Sequence, residues 1–140
     1  MGRLNERLGV ARKALQTLQE LPLAGDVTDI QRDAAIQRFE YTVEAVWKAS
    51  QQFLRDAEGL EVGSPKGAFR GLLQVSIFGE EDAEKALAMV DDRNDVVHTY
   101  AKAVALRIFG RLDGYARLMD QLLSQLERRM RYTSAASAAR

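Results

Sequence analysis

Toward the C-terminus, Ile108, Leu112, Tyr115, Met119, Leu122 and Leu126 step by four, three, four, three and four. That seam of about three heptads puts one apolar stripe on one face of a helix, the spacing of antiparallel bundles and coiled coils, and no strand can use it. The same period recurs almost everywhere. Leu4, Leu8, Ala11, Leu15 and Leu18 form a stripe on a first helix. Pro22 and Gly25 interrupt the pattern, and Thr28 or Asp29 is placed to cap a second, long helix. Its stripe runs through Ile36, Phe39, Val43, Val46, Trp47, Phe53 and Leu54 to about Ala57, and Gly59 to Gly63 end it.

Ser64-Pro65 reads as a cap followed by a first-turn proline, which predicts a short helix from Pro65 to about Phe78. After Gly79, Glu80-Glu81-Asp82 suits the positive end of a fourth helix carrying Ala83, Ala86, Leu87 and Val90. The polar run Asp91-Asp92-Arg93-Asn94-Asp95 reads as a junction before the last helix, its paired acids complementing a helix end. Thr133 to Arg140 is Ser/Ala-rich without a stripe. The expectation is an all-α, up-and-down bundle of about five helices over residues 1–132, with a disordered tail at 133–140.

Composition removes whole classes of chemistry. The 140 residues contain no Cys and one His. There is accordingly no thiolate nucleophile, no Cys-based zinc site and no multi-histidine metal centre within one chain, so no metal or cofactor is expected. No apolar run approaches the ~20 residues of a membrane span. Arg3, Glu6, Arg7, Arg12 and Lys13 spoil the N-terminus as a signal peptide. The expected setting is the cytoplasm. With 20 basic and 20 acidic residues the net charge is zero, so contact with nucleic acid must be local.

The one stretch dense in chemistry is Arg93-Asn94-Asp95-Val96-Val97-His98-Thr99-Tyr100. On an unbroken helix, Arg93 and His98 stand five residues and therefore about 140° apart. They converge only if the backbone breaks near Asn94 and Asp95, or if a second chain supplies the partner. A capped helix end with a structural histidine is the plain alternative.

This segment resembles the Arg-x4-His-x-Tyr signature of HEPN domains, small helical bundles that accompany minimal nucleotidyltransferases. Arg38-Phe39-Glu40-Tyr41-Thr42-Val43-Glu44-Ala45-Val46-Trp47-Lys48 resembles the second helix of the branch named nucleotidyltransferase substrate-binding proteins. Ser64-Pro65-Lys66, with Phe69 and Arg70, resembles that branch's third-helix opening. The three blocks fall in the family's order over residues 38–100. Ala86 departs from it, standing where the family commonly has Trp.

The resemblance implies a homodimer and a nucleotidyltransferase partner encoded by a neighbouring gene. In the related HepT toxins such dimers are metal-independent endoribonucleases, silenced when the partner adds AMP to the motif Tyr. Carried over, Arg93, Asn94 and His98 become the catalytic candidates and Tyr100 the modification site, with RNA as substrate. Metal-free cleavage needs one group to take the 2′-hydroxyl proton and another to protonate the leaving oxygen, so a single His per chain ties the activity to dimerisation. Arg93 suits charge on phosphoryl oxygens. The branch's older reading is a binding subunit that presents substrate to the nucleotidyltransferase and cleaves nothing. Arg38, Glu40, Glu44, Lys48, Lys66 and Arg70 are weaker candidates for substrate or partner contact, since helix pairs and solvated faces also explain them. Phe39 and Trp47 fit core packing better than a base-stacking platform, and Tyr100 is equally suited to packing.

Overall fold

The computed structural model describes residues 2–98 and 101–138, with side chains as far as residue 132. Helix α1 spans Gly2–Gln19 and buries the predicted stripe, Leu4, Leu8, Ala11, Leu15 and Leu18. Helix α2 spans Asp29–Glu58. Thr28 opens it with a reciprocal cap: its hydroxyl accepts from the Gln31 amide at 3.0 Å, and the Gln31 side chain accepts from the Thr28 amide at 2.9 Å. Gly59 closes it in the left-handed region, φ 63°, where a side chain would be strained.

Helix α3 is Pro65–Gln74, capped by the Ser64 hydroxyl on the Gly67 amide. It is shorter than the predicted run to Phe78. Ser76 takes φ 62°, which ends the helix and turns Ile77 into the core. A Cβ at Gly71 would lie 2.7 Å from Leu54 Cδ1, so the glycine lets α3 sit close on α2.

Helix α4 is Glu80–His98 and α5 is Lys102–Ala138. The polar run at 91–95 is therefore not a junction but part of α4. Its backbone stays helical because the inward polar side chain, Asp92, finds partners on α5. The backbone of α5 also continues through Thr133 to Ala138, past the point where the stripe ends. Alanine favours helix without any face to bury.

The result is an all-α bundle of five helices, with no strand among the described residues. Helix α2 touches each of the other four. Phe39, Phe53, Phe69, Ile36, Leu54, Met89, Ile108 and Leu112 fill the centre. Arg12 bolts α1 to α5 through Asp120, Ser124 and Glu127. Burial depresses its guanidinium pKa, but the hydrogen bonds it donates to Glu127 and Asp120 outweigh that and raise it overall. Among the described residues, no helix is long and apolar enough to cross a membrane.

Candidate functional site

Because α4 is unbroken to His98, the motif Arg and His do not converge within one chain. They occupy two faces of its last turns. His98 is exposed at the helix end, beside Val97, which is 55% exposed. Arg93 is turned toward α2 and half-buried. Its Nη2 donates to Glu44 Oε2 at 2.9 Å, and its Nη1 reaches Asn94 Oδ1 at a long 3.4 Å. The Arg93 Nε is sealed from solvent and has no partner among the described residues.

Glu44 is the hub of this side. It also accepts from the Trp47 indole at 2.9 Å and pairs with Lys48 at 3.2 Å. Burial alone would raise its pKa, but the bonds from Trp47 and Lys48 and the charges of Lys48 and Arg93 bring it below the ordinary value. Glu40, one turn away, is shifted the other way: burial raises its pKa and Arg93 only partly opposes. With Gln37, Tyr41, Arg93 and Val97, these two carboxylates line a shallow depression of about 320 Å³ between α2 and α4. The second and fourth helices thus bring two of the sequence blocks together.

Other candidates lie elsewhere. Arg38, six residues from Glu44, points to α1, where Nη1 donates to the Thr17 carbonyl at 2.6 Å and lies 3.8 Å from Glu20. Lys66 pairs with Asp91 at 2.7 Å across α3 and α4. Arg70 is exposed on α3. Phe39 is fully buried and stacks on Tyr115, ring centroids 5.7 Å apart, while Trp47 packs partly buried against the core. Ala86 is fully buried. Tyr100 lies outside the described residues. Among those described, no group of three His, Cys, Asp or Glu could hold a metal.

Sequence reasoning missed one cluster. Asp92, only 4% exposed, accepts from the Tyr115 hydroxyl at 2.6 Å and from Arg111 Nη1 at 3.0 and 2.9 Å. It is a buried tie between α4 and α5, not a dipole-complementing acid at a helix end. The signal available was an acid and a Tyr, each in register with an apolar stripe. Burial pushes the Tyr115 phenol far above the usual tyrosine range; Asp92 adds to this, and Arg111 opposes it. The folded protein therefore keeps a proton that the unfolded chain gives up near pH 10. Stability should be insensitive to this group below about pH 10 and fall above it, by up to ~1.4 kcal/mol per pH unit. Urea titrations across that range should show the fall, and Tyr115→Phe should remove this group's share of the slope.

Comparison with known proteins agrees with this architecture. Residues 6–128 match the family model for nucleotidyltransferase substrate binding protein like proteins. The chain belongs to this family. A crystal structure from Thermus thermophilus is 55% identical, with TM-score 0.80 over 83% of this chain and 98% of that one. The tri-AMPylated HEPN toxin of Shewanella oneidensis in complex with an MNT antitoxin is 17% identical, with TM-score 0.72 over 89% and 96% of the two chains. A Haemophilus influenzae protein, described as revealing the fold of a substrate binding domain of a nucleotidyltransferase, is 24% identical, with TM-score 0.61 over 90% and 98%. At 17% and 24% identity these two likenesses speak for the fold. A search of curated proteins returned no match.

Proposed function

We propose that this nucleotidyltransferase substrate-binding-type chain is the helical subunit of a two-gene HEPN and minimal-nucleotidyltransferase module. In this reading its homodimer is a metal-independent endoribonuclease acting in the cytoplasm. The observation that carries the reading is the exposure of His98 on the last turn of α4, beside exposed Val97. An imidazole there is open to a second copy, as a symmetric two-histidine site requires. The substrate's 2′-hydroxyl attacks the adjacent phosphorus and the bond to the 5′-oxygen breaks, leaving a cyclic phosphate. His98 takes the hydroxyl proton, and His98 of the partner subunit protonates the departing oxygen. Arg93 leaves Glu44 to turn its fork to the phosphoryl oxygens, and Asn94, which its Nη1 already meets at 3.4 Å, orients that fork. Fold likeness to a HEPN toxin captured with an MNT antitoxin supports the module. RNA incubated with the protein in chelator should be cut by wild type and spared by His98→Ala.

A second reading has its own observation. Arg93 is already paired with Glu44, and Glu40 stands beside it in the same depression. Acidic walls suit a hydroxyl-bearing or cationic ligand better than a phosphodiester, as in a subunit that presents substrate to the nucleotidyltransferase. Tyr100 separates the two. Incubation with the partner enzyme and ATP should add the mass of one or more AMP groups at Tyr100 if the chain is a silenced toxin. An unmodified Tyr100 favours substrate presentation.

A further inference from the structure

A second basic cluster lies outside the motif. A groove of about 280 Å³ between α1 and α2 is lined by Arg3, Glu6, Arg7, Val10, Ala45 and Lys48. Arg3 and Arg7 are four residues apart on α1 and so share a face. Lys48 faces them from α2. Among the described contacts, neither Arg3 nor Arg7 has an ion pair, and the Arg7 Nε is sealed from solvent with no partner. No acidic residue stands in the first turn of α1, and the single carboxylate of the groove, Glu6, is outnumbered by Arg3, Arg7 and Lys48 at the positive end of the helix dipole. Ala45 and Val10, the latter 62% exposed, add apolar surface to the lining.

We infer that this groove is a binding site for the phosphate of a nucleotide, either free or within single-stranded RNA. Two guanidinium forks and an ammonium around one space match a phosphate's oxygens and charge. Val10 and Ala45 offer apolar contact to the base or sugar, and arginine planes also stack on bases. At about 280 Å³ the groove falls just short of the usual range of ligand pockets, room for a phosphate and part of its nucleoside. Lys48 shares Glu44 with Arg93, so the groove adjoins the depression on α4 while remaining separate from it. The site stands whether or not the chain cleaves RNA.

The test is titration of wild-type protein with AMP, and of the His98→Ala protein with a fluorescein-labelled oligouridylate followed by anisotropy. The Arg3→Gln/Arg7→Gln variant should bind at least tenfold more weakly, and its salt slope for RNA should flatten by roughly 0.7 for each phosphate contact removed. Lys48→Gln serves as a second variant if that pair perturbs the thermal midpoint. Arg117→Gln, an exposed arginine paired with Asp113 on α5, should bind as wild type. AMP binding that displaces RNA assigns the site to a free nucleotide. RNA binding without AMP assigns it to a strand phosphate. Absence of both, or folded groove variants that bind as wild type, overturns the site, whether or not RNA is cleaved.

Discussion

RNA mixed with the His98→Ala protein in chelator is expected to survive at least a hundredfold longer than with wild type. A positioned general acid or base contributes ~10²–10⁴ in rate, and here one substitution removes both the acid and the base from the symmetric site. Subunit mixing adds a sharper check. If each cleavage uses both histidines, wild-type chains diluted with His98→Ala chains should lose activity as the square of the wild-type fraction. A linear or shallower loss means that one histidine suffices, and equal RNA survival with both proteins removes the ribonuclease reading. Arg93→Lys should also lose rate, because a point charge cannot form the two parallel bonds of a guanidinium. Glu44→Gln reports on the competing reading: loss of its charge frees Arg93 for phosphate, so cleavage should hold or rise, whereas a chain that presents a cationic or hydroxyl-rich ligand should bind it less well.

The helices were legible in the sequence wherever burial follows the 3.6-residue period. The stripe from Leu4 to Leu18 and the seam from Ile108 to Leu126 lie in the core as spaced. Caps were legible too, because Thr28 and Ser64 satisfy amides only three residues away. The end of α3 was not, since the left-handed turn at Ser76 falls on a residue type that does not announce it. The continuity of α4 was hidden for a different reason. Asp91 to Asp95 reads as a junction until Arg111 and Tyr115, 19 and 23 residues from Asp92, are seen to donate to its carboxylate. The site shows the same limit. Arg93 and Glu44 were both singled out, but nothing in their own neighbourhoods tells that residues 49 apart in sequence form one ion pair. Local rules reveal which residues can do chemistry, and packing alone reveals which of them meet.

Asp92→Ala is expected to destabilise the fold by about 2–3 kcal/mol. The Tyr115 hydroxyl, within a residue only 7% exposed, loses its acceptor, and an orphaned buried hydroxyl costs ~1–3 kcal/mol. Arg111 adds less. Its side chain is 50% exposed, so its head can turn to water, and the ~3–5 kcal/mol for stranding a buried charge is not reached. For a domain of this size the thermal midpoint should drop by roughly 6–12 °C. Asp92→Asn keeps an oxygen acceptor for Tyr115 and should lose about half as much. The cycle with Tyr115→Phe separates a hydrogen-bonded tie from generic packing. In the wild-type background Tyr115→Phe should be destabilising, because it leaves Asp92 without one of its two donors. In the Asp92→Ala background it should be neutral or stabilising, because it removes the orphaned hydroxyl itself. A coupling energy near zero would mean that Asp92 and Tyr115 act independently. A coupling of ~1–2 kcal/mol would establish that α4 is held to α5 at the residue preceding Arg93, and that the last turns bearing Arg93 and His98 take their position from that tie.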